Sequence, residues 1–520
     1  MAMASLCAKA SHSRSGFPEC VALIVDHKSR PESTEEAFWV AQQLLKHTGI
    51  KSHILSVQWP EGIRPSKLGN FEKQARTLRY QAIGIACREH GLDSFLVAHQ
   101  SDDQAETLIS RIIYGNVRAG LRGIQPVKEI PECYGLHGVH QSGGLENMPD
   151  TVFRRGNDLP MEIETGGVQV LRPLLQFSKE RLTSTCLENK MPWAEDSTNK
   201  DKTFTVRNAI RHILRHHYLP TALRKKEIVN LSLRLQNRSA KNMEAAEQLL
   251  SSCKLKLDLQ QAALCVSFSR ELLEFWEDDS NRVRTVTAVL IGRLAEMVSP
   301  KDTVSPGGLD GVIDRVLPTL KTPNWSGKQS STFVWAGVQF QPILSQSLLT
   351  SLFPFAPMRQ HTWLLFRQPY AKDEFAKGII RLDGMEDGSR SSATQTNDGF
   401  RLYDGRFWIR VINPWKCTLI LRSLRIEDMP HIRTAIISAA TKARLHKFDS
   451  IIHAIKPAAI RWTLPALVMV GDDGKEHVIA LPSLGLAIGS RAQEYGVEWD
   501  IRYKKINVGA HDIDSIVRGL

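Results

Sequence analysis

Two hydrophobic rhythms alternate over the first 124 residues. Short runs rich in strand formers (Val21 to Val25, Ser52 to Val57, Phe95 to Ala98) read as strands. Between them, Glu35 to Thr48 reads as a helix. A second helix is marked by Phe71, Ala75, Leu78, Ala82 and Ile85, which recur at helical spacing until Gly91 stops it. Asn70 stands where it caps that helix. Such alternation predicts a parallel sheet with helices on its faces. Residues 125–167 are rich in Gly, Pro and His with weak periodicity, and read as a mobile surface insertion. Val168 to Leu175 returns to the strand pattern, and residues 177–250 read as helical, with one long amphipathic helix over Glu227 to Leu250. From about residue 330 short strands and turns take over, as in Phe333 to Trp335 and Phe407 to Ile412. The expected architecture is an α/β domain over residues 1–220, a helical middle domain over 221–300 and a mixed α+β region over 301–520.

Composition narrows the partners. Lys and Arg total 67 against 55 acids, a net charge of +12 that favours a polyanion such as nucleic acid. No run of about 20 apolar residues occurs, so no membrane span is expected. The cysteines are scattered with no Cys-x-x-Cys pair, which argues against a zinc ribbon or iron–sulfur cluster.

The densest chemistry lies in Ala98-His99-Gln100-Ser101-Asp102-Asp103-Gln104-Ala105-Glu106-Thr107, where a strand hands over to a helix. Ligands of open α/β sheets bind outside the carboxyl ends of the strands. Acidic groups there suit Mg²⁺, and a helix N-terminus suits a phosphate. The rival reading makes Asp102 and Asp103 helix-capping acids. Further blocks follow in order: Val25-Asp26-His27-Lys28-Ser29-Arg30, Asn70-Phe71-Glu72 with Ala75-Arg76, then Gly120-Leu121-Arg122-Gly123-Ile124, Leu171-Arg172-Pro173-Leu174-Leu175, Asp196-Ser197-Thr198-Asn199 and Arg207-Asn208-Ala209-Ile210-Arg211.

This ordered set resembles the tRNA(Ile)-lysidine synthetase family of PP-loop ATPases, over roughly residues 1 to 220. The resemblance implies a Rossmann-like nucleotide α-hydrolase fold and ATP-dependent joining of L-lysine to carbon two of the wobble cytidine of tRNA(Ile) with a CAU anticodon, through an adenylated intermediate. It implies ATP, Mg²⁺, L-lysine and tRNA(Ile) as partners. On the matching positions, His99, Asp102, Asp103, Glu106 and Arg207 are the candidate catalytic residues, with Asp103 also a metal ligand. His27, Arg30 and Arg211 are candidates for ATP, and Asn70, Glu72, Arg76, Asp196 and Asn199 for the other substrates. Gln100 stands where the family has a second histidine.

The family's Ser-Gly-Gly-x-Asp-Ser phosphate loop, with the strand before it, has no counterpart in the sequence. The expectation is a chain that begins just past that loop and is itself impaired. The alternatives are a non-catalytic tRNA-binding relic or another PP-loop tRNA-modifying enzyme. Lysidine serves bacterial and organellar translation, so the expected compartment is mitochondrial in a eukaryote and cytoplasmic otherwise. Arg207, Arg211 and Arg215 form a basic stripe at helical spacing, expected to meet tRNA phosphates. The spacing of His212, His216 and His217 lacks a matching acid and is not read as a metal site.

Overall fold

A computed structural model describes the chain except residues 14–15, 29–31, 60–70, 117, 146–160, 195–205, 269–279, 305–307, 319–330, 345–361, 372–373, 375–377, 383–398, 415–417, 440–441, 472–473 and 518–520. The chain folds into two compact units. The first holds Met1–Tyr134, Gly138–His140 and Gly166–Lys241, and the second Gly135–His137, Gln141–Thr165 and Asn242–Leu520.

The first unit opens with α1 (Ala2–Ser13), followed by β1 (Ala22–Asp26), α2 (Ser33–Thr48), β2 (Ser52–Ser56), α3 (Phe71–Glu89), β3 (Ser94–Leu96) and α4 (Ser101–Ile113). β1 pairs with β2 in parallel, Ala22 opposite Ser52 through Asp26 opposite Ser56. Parallel neighbours need a crossover, and α2 supplies it. Asp26 is buried at the end of β1 and accepts from the hydroxyls of Ser33 and Thr34 at 2.7 Å each. Those bonds tie the first turn of α2 to the strand before it. Gly49 then ends α2 in the left-handed conformation, φ +70°, with its N–H on the Leu45 carbonyl.

Past α4 come β4 (Val127–Glu129), β5 (Glu162–Ile163) of the second unit, and β6 (Gln169–Leu171). β3 runs parallel to β6, and β4 closes that sheet antiparallel to β6. The unit ends with α5 (Lys179–Glu188), α6 (Val206–His216) and the start of α7 (Lys225–Ser252). The fold is therefore α/β with parallel strand pairs, as expected from the sequence.

Residues 120–124 show why their glycines recur in one motif. Gly123 has φ +67°, and an added Cβ would stand 2.5 Å from Gln104 Oε1 and 2.5 Å from Leu108 Cδ1. That close approach lets Gln104 bind both polar groups of Ile124: it accepts from the Ile124 N–H at 2.6 Å and donates to the Ile124 carbonyl at 3.1 Å. Arg111 donates to the Gly120 and Gly123 carbonyls at 2.6 and 3.1 Å. Gln104, Arg111 and Gly123 thus hold the loop to α4, a structural role.

Residues 125–167 depart from the surface insertion expected of them. Ile130, Cys133 and Val139 are buried against α3, where Gly84 leaves room: a Cβ there would come within 2.6 Å of Val139 Cγ1. In the second unit His137 and Glu164 are fully buried, and β5 pairs with the strand Glu498–Tyr503. A weak period hid these residues because they pack as single anchors. Residues 146–160 of that segment lie outside the described residues.

The expected helical middle domain also differs. β7 (Lys254–Asp258) and β8 (Ala263–Ser267) form a hairpin inside it, followed by α8 (Ser280–Val298). Among the described residues the second unit builds three sheets, of which the largest two have five strands each. One core joins Leu257, Leu264, Leu290, Ile313, Phe340 and Trp363. Among the described residues no helix is long and apolar enough to cross a membrane. Gly123→Ala is expected to lower stability by roughly 2–3 kcal/mol, the left-handed backbone adding to the overpacking. Thermal unfolding followed by circular dichroism checks this, and an unchanged midpoint would show that the loop is not packed as described.

Candidate active site

His99 lies between the end of β3 and the start of α4. The Gln100 N–H donates to Asp103 Oδ2 at 3.1 Å, so Asp103 caps the helix from its own first turn. Glu106 follows three residues later on the same helix face and is almost fully buried. A buried carboxylate needs a cation. α6 supplies two, one turn apart. Arg207 donates to Asp103 Oδ1 at 2.6 Å and to Glu106 Oε2 at 2.8 Å, while Arg211 grips Glu106 with Nε at 2.8 Å and Nη2 at 3.0 Å.

Burial raises the Asp103 carboxyl above its ordinary value, although Arg207 and the Gln100 N–H pull the other way. Burial also works against the charge of Arg207, but Glu106 and Asp103, with Glu72 at longer range, outweigh it and raise its pKa. Asp102 points elsewhere, to Lys225 Nζ at 2.9 Å.

Arg172, at the end of β6, donates from Nε to His99 Nδ1 at 3.2 Å and from Nη1 to the Gln125 carbonyl at 3.0 Å. A guanidinium cannot accept, so His99 Nδ1 is the acceptor and its proton sits on Nε2. Burial, reinforced by Arg172, Arg207, Arg76 and Arg79, lowers the His99 pKa to about 4. At neutral pH His99 is therefore a neutral group with Nε2–H as donor.

Arg76 and Arg79 sit 4.5 and 5.5 Å from the Tyr80 ring centroid, and Arg76 donates to Glu132 Oε1 at 2.6 Å. Burial depresses the Arg79 pKa, and Arg76 and Arg207 add like-charge repulsion. His27 ends the row of strand-end groups. Its carbonyl accepts from Trp59 Nε1 at 2.8 Å, and its buried Nδ1 has no partner among the described residues. Burial, then Arg79, lowers its pKa.

The structure thus brings His27, Glu72, Arg76, His99, Asp103, Glu106, Arg207 and Arg211 into one electrostatic neighbourhood. Arg30, Asn70, Asp196 and Asn199 lie outside the described residues. Arg79, Tyr80, Glu132 and Arg172 were not singled out as site residues from the sequence. Arg172 carried a signal, a charged residue on an apolar strand end before Pro173. The basic stripe divides: Arg207 and Arg211 turn inward to acids, and Arg215 is exposed. The two oxygens of Asp103, the expected metal ligand, accept from Arg207 and from the Gln100 N–H. Among the described residues no group of three or more His, Cys, Asp or Glu could hold a metal ion. Both acids of the cluster are bound by arginines, an arrangement that does not fit Mg²⁺ as it stands.

Residues 1–218 match the family model of the PP-loop domain, ATP_bind_3. The chain is 25% identical over 480 residues to the Schizosaccharomyces pombe protein named "Probable tRNA(Ile)-lysidine synthase", covering 90% of this chain and 86% of that one. It is 32% identical over 205 residues to the tRNA(Ile)-lysidine synthase of a Bradyrhizobium species, 39% of this chain and 46% of that one. The enzyme of the same name from Methylobacterium nodulans is 29% identical over 228 residues, 44% of this chain and 55% of that one. The chain thus spans most of the yeast relative and about half of the bacterial ones. A solved structure, the U34-tRNA thiolase NcsA from Methanococcus maripaludis with its [4Fe-4S] cluster, aligns over 45% of this chain and 68% of that one, at 15% identity and a TM-score of 0.30, too slight to bear on the fold. The matches agree: residues 1–218 carry a PP-loop domain, and the chain is similar to tRNA(Ile)-lysidine synthases.

Proposed function

We propose that this chain joins L-lysine to carbon two of the wobble cytidine of tRNA(Ile) with a CAU anticodon, in an ATP-dependent reaction. The observation that carries this reading is the cluster of His99, Asp103, Glu106, Arg207 and Arg211 at the strand ends of a PP-loop domain. In the proposed chemistry the cytosine carbonyl oxygen attacks the α-phosphate of ATP and pyrophosphate leaves. The lysine amine then adds at carbon two, AMP departs with the oxygen, and the amine loses its proton.

The residues present suit each need. ATP brings negative charge, and Arg76, Arg79, Arg172, Arg207 and Arg211 crowd one neighbourhood. Arg207 spends Nε and Nη2 on the acids, and a guanidinium has five N–H donors, so the ion pair leaves donors for a phosphate. Neutral His99 offers an Nε2–H to a base or phosphate oxygen without adding charge. Asp103 and Glu106 offer carboxylates to the lysine ammonium, whose arrival would share the charge now taken by the two arginines.

Labelled lysine and a CAU tRNA(Ile) transcript test the reading with the 520-residue chain. The expected result is ATP-dependent incorporation that disappears when the wobble C is replaced by U. Failure to incorporate lysine would overturn it, and tRNA binding without incorporation would leave a binding protein.

Asp103→Asn and His99→Ala are each expected to cut turnover about 100-fold with circular dichroism unchanged, as when a charge-stabilising or hydrogen-bonding group is lost. Since His99 is neutral down to about pH 4, its loss should cost the same at pH 6 and pH 8. A cost confined to one of those pH values would mean that His99 titrates between them, contrary to the burial and the arginines around it.

A further inference from the structure

Helix α6 has a second chemical end. Beyond Arg211 the side chains of Arg215, His216, His217 and Tyr218 are all exposed, as are those from Pro220 to Arg224. Tyr218 is 88% exposed, yet its ring is held: the Arg224 guanidinium lies 5.0 Å from the ring centroid and donates to the phenol oxygen. Arg224 Nε also reaches the Leu219 carbonyl at 3.5 Å. The His212 ring lies 4.6 Å from that of His216 and 5.8 Å from that of His217. Arg215, Arg224 and Lys226 bring positive charge to this end, while Lys225 is paired with Asp102; Glu180, which acts on Arg215 and Lys225, and Glu227 oppose them.

An aromatic face fixed in water beside cations is what an unstacked nucleic-acid base and its phosphates need. The place matters as much as the chemistry. Arg215 lies eight residues past Arg207 on one helix, about 12 Å along its axis. A strand whose reacting base reaches Asp103 and Arg207 therefore passes this end of the helix with neighbouring nucleotides. We infer that the exposed end of α6, with Arg215, Tyr218 and Arg224 as its principal contacts, is a docking surface for the single-stranded part of the tRNA next to the reacting base. Arg215 and Arg224 take backbone phosphates, and Tyr218 takes the face of one base. The inference rests on the proposed tRNA substrate and specifies where that substrate is held outside the reaction site.

The rival is a solvated helix end whose cations merely complement the helix dipole. Titration of the full chain with fluorescently labelled CAU tRNA(Ile) transcript at several salt concentrations separates the two. Replacing Arg215 and Arg224 together by Gln is expected to flatten the log–log salt dependence by roughly 0.7 to 0.9 per lost phosphate contact. Tyr218→Ala is expected to weaken binding about tenfold at constant salt, and Tyr218→Phe, which keeps the aromatic face, by no more than about twofold. All of these side chains are exposed, so circular dichroism spectra should superimpose. If the wild-type chain binds and the double Arg variant and Tyr218→Ala bind alike with the same slope, the docking surface is wrong and the function stands. Equal losses in Tyr218→Phe and Tyr218→Ala would also overturn the stacking role. A wild-type chain that binds no tRNA overturns the proposed function itself.

Discussion

Two carboxylates and two guanidiniums join α4 to α6. Glu106 is almost wholly out of water, and Arg207 and Arg211 supply its counter-charge by reaching both of its oxygens. Because the two arginines share Glu106, losing either one still leaves the carboxylate a counter-charge, whereas losing both would strand a buried anion. The same contacts bring Arg207 against Asp103 at the mouth of the β3–α4 turn. The position of α6 relative to the strand ends follows from that pairing. So does the split of its arginines into two inward residues and one outward.

The cluster stores positive charge in an unusual way. Arg76, Arg79, Arg172 and Arg207 all act on His99, and together with burial they hold it neutral. Burial lowers the pKa of Arg79 and of Arg172, so these guanidiniums sit where their charge is costly. A substrate carrying phosphate would relieve that cost, whereas a neutral substrate would not. Electrostatic preorganisation of this kind needs no movement at the moment of reaction, because the charges are already in place.

Asp26 and Gln104 show the other use of polar residues in the same unit. Asp26 sits beside His27 in the first motif of the chain, yet its carboxylate is spent on Ser33, Thr34 and the Lys28 N–H. Those bonds lower its pKa although burial alone would raise it. Gln104 lies in the middle of the densest motif, and its side chain bonds Ile124 and Ser232. A motif therefore mixes residues that join the charged cluster with residues that hold the motif in shape, and the letters alone do not separate them.

The sequence by itself determined the elements of the N-terminal unit and its resemblance to the lysidine synthases. The helix expected over Glu35 to Thr48 is α2, the strand expected over Ser52 to Val57 is β2, and the long helix over Glu227 to Leu250 lies within α7. Periodicity within a window of ten to twenty residues encodes those, because burial of one face is a local pattern. The decapeptide around Asp103 was legible for the same reason, as polar chemistry concentrated at one strand–helix junction. Only the tertiary structure decided which cation meets which acid. Arg207 and Glu106 are 101 residues apart, and Arg172 and His99 are 73 apart, separations that no local pattern reports. It also decided that Asp102 turns to Lys225, and that His137 and Glu164 are buried where a surface insertion was expected. An arginine on a helix face reads the same in sequence whether it meets water, an acid or a phosphate. What distinguishes these outcomes is the dielectric and the charge brought opposite it by the fold.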